Sequence, residues 1–396
     1  MQFVEIHGRG NKMKFRAKLY PAILVLVIIA ATYLSATSYY GTMSYPQSSI
    51  LSSFNGTASS AVFDSQNGLI YVSSFYANAV YVFNPSDSRI IKTINMPIGP
   101  EMGMLDPLSH YIYFPGLEQS YKNFTTIVTV INASSNVIVA NISLGIFDPV
   151  QNVVFDNSSG LVYVLANSGL YSLNRTVLRN CNLTANVFPA SQFAADPYSG
   201  TGFFIGSMYP TVYSVSNYSG NGTTVSQARS FGPEVPNNYF IEFIGQTNQL
   251  MVSAENALYC IDPSNLSHTF FSIKLPQKVN SGNGVSSLVY DASTKSIYVT
   301  TYGHHNIRVY NDSNGIMRGI ISLGSAGSAQ SYVSVGPNGT LLAIAGSSLL
   351  SVNPVLTEPQ PDWTAFAVLT ALSASAAAYS TYRYIIWKNR KIREPE

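Results

Sequence analysis

The chain has 396 residues, of which 46% are hydrophobic and only 10% are charged. This composition excludes an intrinsically disordered chain, which combines low hydrophobicity with high net charge, and a coiled coil, which is rich in Glu, Lys and Arg. The formal net charge is +2, but ten of the 21 Lys and Arg residues lie close to the two chain ends, and positions 46–361 hold 15 acidic and 11 basic residues. Nucleic-acid binding needs a basic face on the folded part of the chain, and we predict no nucleic-acid partner.

A basic tail, residues 1–19, precedes an apolar segment, residues 20–40, that contains no charged residue. About 20 residues of α-helix span the hydrocarbon core of a bilayer, and a helix tolerates proline in its first turn, where Pro21 lies. We predict a transmembrane signal anchor. The alternative is a cleaved signal peptide, because the apolar core is short and Ala36-x-Ser38 resembles a cleavage site.

The middle of the chain, residues 61–353, is a repeat array. A unit of a short apolar strand, a polar turn containing Asp or Gly, and a second strand recurs seven times at intervals of 40 to 50 residues, for example at 62–72 and 289–299, and Gly245 takes the Asp or Gly position of the fifth copy. A third strand follows each copy, as at 80–84, and a fourth β-rich stretch follows where the chain is long enough. Four strands in each of seven units predict an all-β fold, a seven-bladed β-propeller with one transmembrane helix at each end of the chain.

The seventh unit ends after its third strand, near Asn353. An unpaired strand at the edge of a sheet invites aggregation. Residues 48–54 precede the first full unit, and we predict that they supply the missing outer strand and join the two ends of the ring. Residues 41–60 are therefore assigned to a linker and the closing outer strand, and residues 61–353 to the propeller ectodomain.

The repeat unit resembles the YVTN family of β-propeller repeats. The closest matches are the strand pairs 69–72 with 80–84 and 297–299 with 307–311, and Gly-Pro loops of the family type occur at 99–100 and 232–233. The resemblance implies a propeller of the kind found in surface-layer and adhesion proteins as well as in enzymes. It is specific for the architecture and not for an activity.

A second apolar segment, residues 363–387, follows a short linker at 354–362 and precedes a basic tail at 388–396. We predict a second transmembrane helix, and the alternative is a buried helix of a soluble protein. Basic tails at both ends place both termini in the cytoplasm by the positive-inside rule. The propeller is then extracytoplasmic on a two-pass protein of the cell membrane.

Asn-x-Ser/Thr sequons provide a second indication of an outside location. The twelve candidate glycosylation sites are Asn55, Asn123, Asn132, Asn141, Asn157, Asn174, Asn182, Asn217, Asn221, Asn265, Asn311 and Asn338. Eight of these, all but Asn55, Asn123, Asn141 and Asn182, map to the face that carries the turns between first and second and between third and fourth strands. The two cysteines, Cys181 and Cys260, fall in different blades, so we expect thiols and not a disulfide.

The opposite face, built from loops between second and third strands and between blades, carries acidic and His residues that are candidates for ligand binding. They are Glu101, Glu118, Asp148, Glu234, Glu255, His304 and His305. The recurrent turn acids, among them Asp64 and Asp291, are interpreted as turn formers, and the recurrent strand tyrosines as packing between blades. We predict no catalytic residue, no metal ligand and no cofactor.

These patterns together predict a membrane-anchored surface module for binding or adhesion, whose partner is another surface protein or a glycan. The alternative is an extracytoplasmic propeller enzyme of the lactonase or quinoprotein-like type. A ligand-sensing receptor is a third hypothesis, but tails of 19 and 9 residues are too short for a signalling domain.

Overall fold

The computed structural model describes residues 49–353, with gaps, and a few helical residues near the C-terminal end. The gaps are residues 55, 120–123, 147–149, 158, 179–180, 186–189, 197, 207–209, 217–223, 232–239, 255–256, 276–283, 302–303 and 324–330. The helical residues are 375, 379, 381–383 and 385–386. The chain divides into two units, Tyr45–Val355 and a second unit made of Met1–Ser44 with Leu356–Glu396.

The two predicted membrane segments belong to the second unit. Residues 20–40 lie outside the described residues, and so does most of 363–387. Within the part of the chain that the structure describes, no helix has the length and apolar character needed to cross a membrane.

The first unit is a ring of seven antiparallel sheets, which confirms the predicted all-β, seven-bladed β-propeller. The first blade consists of β2 (Ala58–Asp64), β3 (Leu69–Ser74), β4 (Ala79–Asn84) and β5 (Arg89–Asn95). The second consists of β6 (Gly99–Pro100), β7 (Met104–Asp106), β8 (Tyr111–Gln119), β9 (Phe124–Asn132) and β10 (Val137–Ile146). The third consists of β11 (Val150–Asp156), β12 (Leu161–Ala166), β13 (Gly169–Asn174) and β14 (Cys181–Ala185). In the second blade the short strands β6 and β7 both pair with β8.

Blades four to seven have four strands each. The fourth blade consists of β15 (Ala190–Asp196), β16 (Thr201–Gly206), β17 (Thr211–Ser216) and β18 (Thr224–Ser230), and the fifth of β19 (Phe240–Ile244), β20 (Gln249–Ala254), β21 (Ala257–Asp262) and β22 (Asn265–Lys274). The sixth consists of β23 (Val285–Asp291), β24 (Ser296–Thr301), β25 (Asn306–Asn311) and β26 (Met317–Ser322). The seventh consists of β27 (Ser331–Val335), β28 (Leu341–Ala345), β29 (Ser348–Val352) and β1 (Ser49–Ser53). A 3₁₀ turn, Pro337–Gly339, joins β27 to β28.

The ring is closed by the N-terminal strand, as the sequence predicts. β1 pairs antiparallel with β29, with Ser49 opposite Ser351 and Ser53 opposite Ser348. The seventh blade therefore combines three strands from the end of the propeller with one strand from its beginning. As a result, the chain enters and leaves the ring at paired residues.

The apolar core lies between adjacent blades. Second strands such as β3 are buried on both faces, whereas the outer strand β5 is exposed at nearly every position. Seven clusters of described apolar residues occur, one for each pair of neighbouring blades. Each blade therefore relies on its two neighbours to bury its faces, which is why the array must close into a ring.

The recurrent tyrosines pack between blades with a polar tip, as predicted. Tyr71, Tyr113, Tyr163 and Tyr298 are fully buried in the second strands of their blades. The Tyr71 hydroxyl donates to the Ala133 carbonyl oxygen of the next blade at 2.9 Å and lies 2.6 Å from Asn136 Oδ1. Burial raises the pKa of Tyr71 to about 12, so the phenol stays protonated and keeps donating at any physiological pH.

Cys260 is a free, fully buried thiol in β21, which agrees with the expectation of no disulfide. Cys181 lies in β14, in another blade, and its side chain is outside the described residues. Burial raises the pKa of Cys260 to about 12, with a smaller contribution from the Asp312 charge.

We expect Cys260 to resist alkylation in the folded chain, because the thiolate is the reactive form and the thiol is enclosed. Iodoacetamide at pH 8, followed by peptide mass spectrometry with and without urea, measures this. Modification of Cys260 at the same rate under both conditions would contradict the expectation.

Candidate functional site

A central channel runs along the axis of the ring and is lined by the innermost strands of the blades. It consists of two cavities of about 480 Å³ and about 420 Å³. Both are lined by Met102, Met104, Asn152, Ser286 and Tyr332, among others, so they are contiguous. A concave space of this size is typical of ligand sites, and we treat the channel as the candidate functional site.

The smaller cavity opens on the loop face, which is formed by the loops between second and third strands and between blades. Its mouth carries Phe75 and Tyr76, which follow β3, and Glu101, which follows β6. The Phe75 and Tyr76 rings meet edge to face at 5.4 Å, and Tyr76 is 78% exposed. An exposed tyrosine next to a half-buried phenylalanine, beside a carboxylate, offers apolar area and charge to a partner.

The larger cavity continues toward the turn face, which is formed by the turns between first and second and between third and fourth strands. Its walls are mostly apolar and include Phe240, Leu288 and Met104. Glu242 on β19 also lines it, half-buried, together with Tyr332 on β27. No Lys, Arg or His belongs to the described lining of either cavity.

The channel is a poor environment for an ionised carboxylate. Burial raises the pKa of Glu242 to about 8, and burial also raises the pKa of Glu101. The pKa of the Tyr332 phenol is raised as well, first by burial and second by the nearby Glu242 charge. Glu242 and Tyr332 are therefore neighbours across the channel, and at neutral pH most of the Glu242 carboxyl is protonated.

We expect Glu242→Gln to stabilise the chain at pH 8 and to leave it nearly unchanged at pH 4. The folded-state pKa of about 8 exceeds the 4.5 of an ordinary Glu, so between these values the folded state retains a proton that the unfolded chain releases. The stability contributed by the protonated carboxyl is complete below pH 4.5 and is lost as the pH rises through 8.

Melting temperatures of the full chain at pH 4, 6 and 8 measure this effect. The difference between Glu242→Gln and the unmodified chain should widen with pH to about a few degrees. Glu118→Gln, whose carboxyl lines neither cavity, is the control. A difference that stays constant or narrows with rising pH would show that the Glu242 pKa is not raised.

Sequence reasoning missed Glu242, although a signal was present. In the ladders between first and second strands, Glu242 faces Met251 at the position where Val62, Met104 and Val154 face Tyr71, Tyr113 and Tyr163. The remaining blades place Ala194, Val289 and Val333 there. One acidic residue thus replaces an apolar residue at this repeated position, and Met104, Val154 and Ala194 at the same position also line the larger cavity.

The register also corrects one repeat boundary. Ile244 pairs with Gln249 as Asp64 pairs with Leu69, so Ile244, and not Gly245, occupies the turn-acid position of the fifth copy. If the fifth copy is aligned with the other copies one residue too late, Glu242 no longer falls at the repeat position of Val62, Met104 and Val154, and the substitution is not noticed.

The predicted ligand-binding residues that the structure describes lie on the loop face, but only Glu101 lines a cavity. Glu118 lies near the end of β8, and His304 and His305 lie between β24 and β25. Asp148, Glu234 and Glu255 lie outside the described residues. Among the residues described, no group of three or more His, Cys, Asp or Glu side chains is placed to hold a metal ion.

The recurrent turn acids shape turns, as predicted. Oδ1 of Asp64, Asp106, Asp196 and Asp291 accepts the backbone N–H two residues ahead at 2.9 to 3.1 Å. Asp64, Asp106 and Asp156 are also fully or almost fully buried, which the turn interpretation did not foresee. Buried carboxylates need partners, and two of these find them across a blade boundary.

Asp64 and Asp106 each pair with a basic side chain from a neighbouring blade. His110 Nε2 lies 2.5 Å from Asp64 Oδ2, and its Nδ1 lies 2.7 Å from Ser134 Oγ. Arg175 Nε lies 3.3 Å from Asp106 Oδ2. His110 adopts a left-handed φ of 59°, and Asn248 and Lys295 are also left-handed at the same turn position, where three other blades place Gly68, Gly160 and Gly200.

The Asp64–His110–Ser134 array resembles a nucleophile with its base, but its surroundings favour a structural link. The N–H groups of Ser134 and Ser135 donate to Asn132 Oδ1 at 2.9 and 3.1 Å, and the Asn136 N–H donates to the Asn132 carbonyl oxygen at 2.8 Å. The amides beside the hydroxyl are thus occupied and do not offer an oxyanion hole. Neither channel cavity is lined by these residues.

Six of the sequon asparagines that were mapped to the turn face are described there. They are Asn132, Asn157, Asn174, Asn265, Asn311 and Asn338. In four of them, Asn132, Asn174, Asn265 and Asn311, Oδ1 accepts the backbone N–H of the sequon Ser or Thr at 2.8 to 3.2 Å. Asn141 lies within β10, Asn182 within β14 with its side chain not described, and Asn55, Asn123, Asn217 and Asn221 lie outside the described residues.

The ring is similar to solved β-propellers. The β-propeller domain of Myceliophteria thermophila Cps50 (Swd1) gives a TM-score of 0.59 at 9% sequence identity and covers 77% of this chain and 100% of that chain. U3-55K gives a TM-score of 0.59 at 10% identity and covers 77% of this chain and 98% of that chain. At such identities the likeness shows the fold alone. No protein-family model matches the sequence, and no curated protein does.

Proposed function

We propose that the protein is a membrane-anchored, extracytoplasmic interaction module that binds a surface protein or a glycan on the loop face of its propeller. The observation that carries the proposal is the channel mouth, where the exposed Tyr76 and its neighbour Phe75 stand beside Glu101. A closed ring presents these groups on a rigid surface. Aromatic side chains on such a surface bind a partner with little loss of conformational entropy.

Three features of the chain support the membrane anchor and the topology. The apolar segments 20–40 and 363–387 have the length and composition of membrane helices, and both are flanked by basic tails. The chain enters and leaves the ring at the paired residues Ser49 and Ser351, on the turn face. The loop face is the opposite face, and a partner outside the cell would reach it. The match of β3 and β4 to the YVTN pattern supports assignment to that repeat type.

Site-specific photo-crosslinking tests the partner-binding surface. A photoreactive phenylalanine analogue at position 76 in the full chain, activated in intact membranes, should give a discrete adduct that is lost when Phe75→Ala and Glu101→Gln are added. The same analogue at Phe270, an exposed aromatic on the outer strand β22, is the matched control. Identical adducts at both positions, or none at position 76, would count against binding at the loop face.

Cysteine labelling tests the topology. Ser86→Cys places a thiol in an exposed turn of the first blade, and Lys12→Cys places one in the N-terminal tail. A membrane-impermeant maleimide added to intact cells should label position 86 and not position 12, with the unmodified chain as the blank for Cys181 and Cys260. Labelling of position 12 alone would reverse the proposed orientation.

Intact mass tests the glycan sites independently. The chain alone has a mass of 43.0 kDa, so glycans on the turn face would raise the measured mass above this value. Replacing Asn174 and Asn311 by Gln should remove part of the excess. A mass equal to that of the bare chain would remove this support for an outside location.

A further inference from the structure

The geometry points to a binding site for an ammonium group on an aliphatic chain inside the central channel, with Glu242 as its counterion. The inference rests on the proposed function in one respect, since a partner bound at the channel mouth would supply the ammonium group as a basic side chain. The inference adds the chemistry of that contact, which the propeller fold alone does not specify.

The charge of the channel is the first support. Among the described residues, the titratable groups that line the two cavities are the carboxyls of Glu101 and Glu242 and the phenols of Tyr76, Tyr198 and Tyr332. The described lining contributes no positive charge from any of the elements that surround Glu242. The Glu242 carboxyl is mostly protonated at neutral pH, and a bound ammonium group would favour its ionised form, with no cation of the described lining competing for that role.

The state of the Glu242 carboxyl is the second support. None of the described residues donates a hydrogen bond to it or forms an ion pair with it, and burial is what shifts its pKa. A half-buried carboxyl without a partner costs stability, and six other blades avoid this cost with Val, Met or Ala at the same position. A bound cation would supply the missing partner.

The walls of the channel are the third support. Leu288, Met104 and Phe240 offer apolar contact for an aliphatic chain, and the Tyr332 ring beside Glu242 offers a face for a cation. Asn152 Oδ1 is buried without a hydrogen-bond partner and lines both cavities, so it can accept an N–H donor. A carboxylate, an amide oxygen and an aromatic ring together select an ammonium group over a neutral or anionic group.

Access to Glu242 is the fourth support. The cavity that opens at Tyr76 and Glu101 shares Met102, Asn152 and Tyr332 with the cavity that contains Glu242. A flexible aliphatic chain can therefore pass from the mouth to the inner carboxyl without an opening of the ring.

Calorimetric titration of the full chain in detergent with three probes of equal length tests the site. Pentylammonium should bind, while pentanol and pentanoate should bind at least about tenfold more weakly, because only the cation pairs with Glu242. Glu242→Gln, whose fold is checked by circular dichroism, should lose about tenfold to a hundredfold in pentylammonium affinity. Asp87→Asn, at an exposed position of the turn face that lines neither cavity, should bind as the unmodified chain does.

Proton release gives a second readout that a change in packing would not produce. Pairing with the ammonium group favours the ionised carboxylate, so at pH 7 binding should release a proton, and the measured enthalpy should vary with the ionisation enthalpy of the buffer. The release should be absent in Glu242→Gln. Equal affinity of pentanol and pentylammonium, unchanged binding in Glu242→Gln, or no proton release would each overturn the proposal.

The ammonium group could come from a basic side chain of a partner or from a free amine, and the tripeptide acetyl-Gly-Lys-Gly-amide distinguishes these two sources. Its norleucine counterpart, which lacks the ammonium group, is the control. Tighter binding of the lysine peptide than of pentylammonium, weakened by Glu101→Gln, supports a partner side chain. Binding of pentylammonium alone supports a free amine at the same site. If neither probe binds, the channel site is wrong, while crosslinking at position 76 still reports separately on the proposed function.

Discussion

Arg175→Met should lower the free energy of unfolding by about 3–5 kcal/mol, because it leaves Asp106 buried without its cation. Asp106 is fully inaccessible and the Arg175 side chain is only 7% exposed, with Nε 3.3 Å from the carboxylate. Arg175 Nη2 also donates to Asn157 Oδ1 at 3.0 Å, which holds the guanidinium at the boundary between the second and third blades. Urea unfolding of the full chain, followed by tyrosine fluorescence because both tryptophans, Trp363 and Trp387, lie outside the ring unit, measures the loss.

A double-mutant cycle separates the ion pair from the turn. Asp106→Asn keeps an Oδ1 that can accept the Leu108 N–H, now 3.1 Å away, but removes the charge. The combined Asp106→Asn and Arg175→Met chain should lose less than the sum of the single losses by about 1–3 kcal/mol. Arg89→Met, at an exposed position of β5, is the control and should change stability by no more than about 0.5 kcal/mol. Strict additivity would show that the two charges do not interact.

Phe54→Ala should destabilise the ring by about 3–5 kcal/mol and loosen its closure. Phe54 directly follows the closing strand β1, is 6% exposed and stacks on Tyr81 of the first blade at 5.1 Å. Its N–H donates to the Ser347 carbonyl oxygen at 2.8 Å. The side chain therefore holds β1 against both the last blade and the first.

Hydrogen exchange distinguishes an opened ring from a general loss of packing. Phe54→Ala should speed amide exchange in β1 and β29 more than in the other blades. Phe114→Ala, which truncates a fully buried Phe of the second blade, should cost similar stability without selective exchange at the closure. Ile50→Ala, at a position of β1 that is 65% exposed, should change little. Equal amide exchange rates in β1 for Phe54→Ala and Phe114→Ala would mean that Phe54 does not specifically stabilise the ring closure.

The ring architecture was predictable because it depends on local and repeated signals. Each blade has an apolar second strand such as β3, and in five of the seven blades the turn before that strand starts at an Asp, so both signals recur along the chain. The closing strand was predictable from the number of strands in each unit. The seventh unit lacked a fourth strand, and residues 48–54, before the first full unit, could form one. The membrane segments remain predictions, because the described residues do not cover them.

The links between blades were not predictable from local sequence. Arg175 meets Asp106 only because the curvature of the ring brings the end of β13 beside the turn after β7. His110 looked like an ordinary turn residue, and its contact with Asp64 is what distinguishes it. Glu242 escaped notice for a different reason, since a displacement of one residue in the repeat alignment changes which side chain faces the axis.

The joint between β1 and β29 determines when the domain can be finished during synthesis. The strand made first must wait, without a partner, until the last strand has left the ribosome. Its sequence, Ser-Ile-Leu-Ser-Ser, suits that delay, because three hydroxyl side chains make it a weak seed for aggregation while it is unpaired. A truncated nascent chain would therefore retain an open edge at each end, and only a complete chain could seal both at once.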